Sequence, residues 1–203
     1  MKNKLNPATL MIIAMSVVLL TGCGGVKVQR VDSGEMIDLS GNWNDTDSQL
    51  VSAEMITDSL GRPWVGDFRS EKGKSPTVIV GTVRNRSSEH INTETFVKDL
   101  ERELINSGKV KFVASREQRG EVRDEKNDQA NFSDPATIKA MGKEKGADFM
   151  LQGQINTIMD EAGKQAVKYY QIELEMINIL TNEKVWIGQK KIKKLVTRPK
   201  AKF

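Results

Sequence analysis

The sequence predicts an α/β (α+β) domain, a small mixed, largely antiparallel sheet of about four to five strands flanked by helices. Three observations carry this. From Phe149 onward the hydrophobic pattern alternates with period two over three segments joined by short turns. Upstream, apolar residues recur at helical spacing between Asn, Ser and Asp caps and closing glycines. The run "TVIVGTV", residues 77–83, is continuously apolar and β-branched, which suits a buried strand.

The first segment stands apart from this domain. Lys2 and Lys4 precede an apolar run, Leu10 to Leu20, of about 11 residues, where a spanning helix needs roughly 20. Small residues follow, giving the three-part layout of a secretory signal peptide over residues 1–22. Cys23 is the chain's single cysteine and His90 its single histidine, so an internal disulfide and a thiolate-based metal site have no partners to build them. Leu20-Thr21-Gly22-Cys23 resembles the lipobox of bacterial lipoproteins. That resemblance implies cleavage before Cys23 and acylation of it, and two or three acyl chains hold a protein on a membrane almost permanently.

About 180 residues remain, one domain's worth. Residues 23–40, rich in Gly, Asp and Ser, read as a flexible tether spanning typically about 25 Å and at most about 65 Å. The globular domain is expected over 41–192. Asp47 to Leu60 predicts an amphipathic helix with Leu50, Val51, Ile56 and Leu60 inward, ended by Gly61 and Pro63, and "RPWVGDFRSEKGKSP" reads as a loop before strand 77–83. After the loop "NRSSEH", Asn92 caps a second helix, Ile91 and Phe96 sit at staple spacing, and Phe96, Val97, Leu100, Leu104 and Ile105 line one face up to Gly108. "KVKFVAS", 109–115, predicts a strand, and Ser115 caps a polar surface helix, "REQRGEVRDEKNDQ". Asp134-Pro135 opens another helix, ending at Gly146. Then come three strands: Phe149, Leu151, Ile155 and Met159 alternate with polar residues, as do Tyr170, Ile172, Leu174, Met176 and Leu180, and "TNEK" turns into "VWIGQKKIKK". Residues 193–203 read as a basic tail.

The formal charge of +4 falls to about +2 once Lys2 and Lys4 are removed. Beyond Glu183 there is no acid, while eight lysines and arginines follow. A solvated edge strand and tail accounts for them, with anionic lipid headgroups or an acidic envelope polymer as the alternative. Nucleic acid is not expected, because aromatics make up only 5% of the chain and no binding motif is present.

Few residues suggest chemistry. Gly73-Lys74-Ser75 ends like a phosphate-binding loop, but Phe68 stands where its first glycine belongs, and the stretch precedes a strand when it should follow one. Glu173 and Glu175 would point the same way from one strand, whereas glycosidase carboxylates face each other across a cleft. His90 has neither a second histidine nor a serine-elbow motif to work with. Trp43, Trp64 and Trp186 read as partly buried packing residues. No catalytic residue, cofactor, metal or small-molecule substrate is therefore expected, and a binding protein is favoured over an enzyme. For partner contact, Arg84-Asn85-Arg86 is the candidate, since two guanidinium groups at a strand end suit an acidic patch.

The stretches "SGNWNDTDSQLVSAEMITDSL", "VIVGTVRNRSSEHINTETFVKDLERELINSGKVKFVAS", "GADFMLQGQI" and "EMINILTNEKVWIG" resemble the LpoB family, outer-membrane lipoproteins that activate penicillin-binding proteins. The resemblance implies a domain like the N-terminal domain of TolB and, more distantly, the periplasmic part of CsgG. It implies stimulation of a bifunctional peptidoglycan synthase by direct contact, from an outer-membrane anchor facing the periplasm. Gly24, where enteric inner-membrane lipoproteins carry aspartate, agrees with that location. Enterobacterial members carry a long Pro-rich linker, which the tether here does not match. A structural or assembly component of an envelope complex is the alternative function.

Overall fold

The computed structural model describes residues 28–32, 34–134, 136 and 144–198. They fall into two compact units, Met1–Glu35 and Met36–Phe203. In the first, the described residues are exposed, and the Asp32 carboxylate accepts the Gly34 N–H at 2.8 Å in a tight turn. The signal peptide with Leu20, Thr21 and Gly22, Cys23 itself, most of the helix expected from Asp134-Pro135, and the chain after Arg198 lie outside the described residues.

The second unit opens with α1, Asp45–Leu60. Asn44 and Asp47 form a capping box: the Asn44 side chain accepts the Asp47 N–H at 3.0 Å and the Asp47 carboxylate accepts the Asn44 N–H at 3.1 Å. Val51, Met55, Ile56 and Leu60 are buried, with Ser48, Ser52 and Ser59 beside them. Leu50, expected inward, is exposed instead, because the buried face is set by these small serines, which bring α1 close to its neighbour: Ser48 Oγ donates to Asp99 at 2.7 Å.

The stretch predicted as a loop contains a helix, α2, Trp64–Lys72. Pro63, read as a terminator, precedes it in αR conformation (φ −57°), a starting role its fixed φ suits. Trp64, Val65 and Phe68 share its buried side, and both rings lie against Phe149, with centroids 4.8 and 5.3 Å away.

Strand β1, Thr77–Asn85, leads to α3, Thr93–Asn106, where Asn92 Oδ1 accepts the Glu94 N–H at 3.0 Å. Phe96, Leu100 and Leu104 are fully buried and Ile91 nearly so, as the staple spacing requires, while Ile105 is half-exposed. The strand predicted over 109–115 shrinks to β2, Lys111–Phe112, since the chain must turn at once into the Ser115–Gln118 capping box that opens α4, Arg116–Phe132. None of α4 is buried, as its polarity predicts.

The meander follows as β3, Phe149–Ala162, β4, Gln165–Asn178, and β5, Lys184–Thr197. Sheet order is β2-β1-β3-β4-β5, parallel between β2, β1 and β3 and antiparallel thereafter. One face packs on α1 and α3, and the architecture is the mixed α+β sheet with helices that the sequence predicts. Two inward positions fail: Met159 is half-exposed, and Leu180 lies in the β4–β5 turn, exposed. Both ends of the domain extend further than expected. The compact unit begins at Met36, and Lys193 to Thr197, read as tail, continue β5.

Candidate functional site

The face of the sheet opposite α1 and α3 carries a dense array of polar side chains. Strand register puts Gln152, Glu175 and Ile187 in one row and Gln154, Glu173 and Gln189 in the next. A register shift between Val80 and Val83 interrupts the β1–β3 pairing, and Thr82 and Arg84 come to line the same face. With Lys184 these residues line a concavity of about 450 Å³.

Gly153 lies among its lining. Gly153 and Gly188 flank Leu174 across the strands, and a β-carbon on Gly153 would strike the Glu173 carbonyl, one on Gly188 the Trp186 ring. Trp186 therefore lies over β5, and its Nε1–H donates to Asp58 of α1 at 2.8 Å. That hydrogen bond, helped by Arg62, holds the Asp58 carboxyl below the usual range.

The floor is a ladder of amides and carboxylates. Gln154 donates to Glu173 at 3.0 Å, Gln171 at 2.5 Å and Gln189 at 3.3 Å, and these bonds, Gln154's foremost, push the Glu173 pKa down. Lys184, 2.5 Å from Glu175, and Gln152, donating at 2.7 Å, do the same for Glu175. Both carboxyls are thus held ionised on one continuous face, and neither is tuned as the protonated acid that glycoside hydrolysis needs.

The three residues predicted for partner contact part company. Arg84 lines the concavity and has no ion pair among the described residues. Asn85 is spent on the following loop: its Nδ2 donates to the Glu89 carbonyl at 2.7 Å and its Oδ1 accepts from Ser87. Arg86 continues the β1–β3 pairing through its N–H to the Ile155 carbonyl at 2.8 Å, with its side chain in solvent.

That loop exists to place Glu89. Its carboxylate accepts from Tyr170 Oη and Lys168 Nζ, each at 2.8 Å, and from the Trp43 N–H at 3.2 Å. Burial opposes the charge, but these bonds outweigh it and hold the carboxyl low, while burial and the same carboxylate push the Tyr170 phenol far up. Nearby, Lys194 Nζ sits 2.7 Å from both Asp38 and Asp47 and keeps its proton more firmly than burial alone would allow. These two centres fasten residues 38–47 to the inner face of β4 and β5. Sequence reasoning missed them, because each joins residues some 80 to 150 positions apart, as Tyr170–Glu89 and Lys194–Asp47 do.

The remaining candidates are structural. Gly73 closes α2 and Lys74 lies 3.3 Å from Asp148, so no helix N-terminus faces a would-be phosphate there. Trp43 meets Phe96 and Tyr170 edge-on at 5.7 and 5.8 Å, and Trp64 Nε1–H donates to the Ser59 carbonyl. Among the described residues no cluster of three or more His, Cys, Asp or Glu is placed to hold a metal, and no helix is long and apolar enough to cross a membrane.

The family described as "Peptidoglycan-synthase activator LpoB" matches residues 47–192, from α1 into β5 and most of the chain. The chain belongs to the LpoB family. Among solved structures, it is similar to the LpoB C-terminal domain from Escherichia coli, 17% identical, covering 66% of this chain and 98% of that one with a TM-score of 0.37. The Salmonella enterica counterpart is also 17% identical, covering 64% and 93%, TM-score 0.35. The NMR structure of E. coli LpoB is 13% identical, covering 98% and 89%, TM-score 0.40. No curated protein matches. The LpoB family is a regulatory, activating family.

Proposed function

We propose that this protein is a lipoprotein, anchored through Cys23 to the periplasmic face of the outer membrane, that activates a bifunctional peptidoglycan synthase by direct contact and without catalysis of its own. The observation that carries this reading is membership of the activator family over residues 47–192. Arg84 is the proposed contact, supported by its place in the open concavity and its lack of an ion pair among the described residues. Removing a guanidinium that meets a carboxylate across an interface costs most when the pair is desolvated, so Arg84 is the position to probe first.

Cross-linking in intact membranes followed by pull-down tests the partner. Recovery of a penicillin-binding protein supports the proposal, whereas recovery of secretion or Tol-type components without any synthase would favour an assembly role. Stimulation is read as polymerised glycan per unit time with and without the purified protein, and should fall for Arg84→Glu at unchanged melting temperature. Mass spectrometry of the mature N-terminus decides the anchor: an acylated Cys23 is expected.

A further inference from the structure

The β3–β4 turn end of the sheet differs from the concavity. Two to six residues beyond Gln154 along β3, roughly 7 to 20 Å at strand rise, the outer rows become Asn156, Gln171 and Lys191, then Ile158, Tyr169 and Lys193, then Asp160, Val167 and Leu195. Ile158 and Leu195 are 67% and 66% exposed. The lysines of β5 divide by face. Inward Lys190 and Lys194 are paired with Glu54 and Asp47 of α1, while outward Lys191 and Lys193 have no ion pair among the described residues, nor does Lys164 in the adjoining turn. Arg198 meets Glu161 at 3.5 Å, leaving Asp160 as the single acid in these three outer rows.

Protection of an edge strand accounts for the lysines but not for exposed isoleucine and leucine beside them. Apolar side chains set among unpaired cations fit a headgroup boundary, which takes up both. Position agrees. The chain arrives at this same end, where Asp38 and Asn42 bind Lys194 and Lys168 and Gly41 lies against Val196. Only 15 positions separate Asp38 from Cys23, a chain length of at most about 50 Å.

We infer that this outer end of the sheet is a second membrane contact, lying on the anionic headgroups of the bilayer that holds the anchor. The inference rests on the lipoprotein reading for its geometry and on the patch itself for its chemistry. With the end tethered this closely, a weak surface affinity suffices, because the contact is intramolecular in effect. It would fix the domain's orientation on the membrane.

Flotation of the unit Met36–Phe203, which contains the whole buried core, isolates the contact from the anchor. The unit should float with vesicles of phosphatidylethanolamine and phosphatidylglycerol at 7:3 in low salt, and be released at 0.5 M salt. Lys191→Gln with Lys193→Gln should weaken the partition about 25-fold, at about fivefold per lysine. Leu195→Ser should weaken it several-fold, and Lys126→Gln on α4 should leave it unchanged. Absence of flotation, equal flotation with neutral phosphatidylcholine vesicles, or full retention by the double lysine variant would overturn the inference, with thermal melting confirming that each variant is folded. The Cys23 acyl mass decides the anchor separately, so the two readings can fail independently.

Discussion

The two halves of the β3–β5 meander share strands, register and alternation, yet only one is core. Toward the β1 side, Leu151, Ile155, Ile172, Leu174 and Met176 are essentially inaccessible, because α1 and α3 cover them. Toward the β3–β4 turn the same inward positions carry Met159, Lys168, Ala166 and Lys194, and the cover is the irregular, bent segment 38–43, held by hydrogen bonds and ion pairs. Alternation declares which residues share a face. It does not declare what lies over that face, and the cover decides whether a face is held by burial or by charge.

Substitution in the first half should have the largest effect. Leu151→Ala is expected to cost about 3 to 5 kcal/mol of stability, lost transfer energy plus an unfilled cavity, measured by denaturant unfolding. Gly188→Ala forces the Trp186 ring to move and should cost about 1 to 3 kcal/mol, with a red-shifted tryptophan emission as the ring leaves Asp58.

In the second half the loss should be smaller and pH-dependent. Glu89→Gln is expected to cost about 1.5 to 3 kcal/mol at neutral pH by weakening bonds to a charged acceptor, and hydrogen exchange should show segment 41–43 opening first. Because Glu89 is held below its unfolded value, its contribution is complete above about pH 4.3 and is lost as pH falls through the lower folded value. Wild type should therefore lose more stability on acidification over that window than Glu89→Gln does, and equal acid slopes would contradict the role given to this carboxylate. Asn92→Ala, removing a cap on the covering helix α3, should cost about 1 kcal/mol. Ile158→Ala on the outer face should change stability by less than about 0.5 kcal/mol, while weakening vesicle binding.

Much of this was legible where the deciding contact is local. The Asn92 cap, the Ile91–Phe96 staple and the Ser115 cap lie within a few residues, and the structure realises each, with Gln118 completing a capping box at Ser115. So does the polar alternation of Gln171, Glu173 and Glu175, which defines the open face. Helix α2 is also written locally, since Trp64, Val65 and Phe68 sit at helical spacing after a proline, but a proline marks the end of one helix as readily as the start of the next. Leu50 faces outward because small serines, and not the more hydrophobic residue, let α1 approach α3. As for the proposed site, Arg84 was named from sequence together with Asn85 and Arg86, yet the three serve different ends once Glu89 draws the loop inward.

The sequence by itself determined the α+β class, the order of most elements, the faces of the meander and the family, because helix periodicity, caps and strand alternation are properties of neighbouring residues. Only the tertiary structure decided which lysines of β5 are neutralised, how far residues 36–43 belong to the domain, and where the sheet curls. Those outcomes depend on Lys194 meeting Asp47, Glu89 meeting Tyr170 and Trp186 lying over Gly188. The first joins two charges 147 positions apart, the second joins a phenol to a carboxylate 81 positions away, and the third needs a rotamer set by a helix more than a hundred residues away, so no short window of sequence contains them.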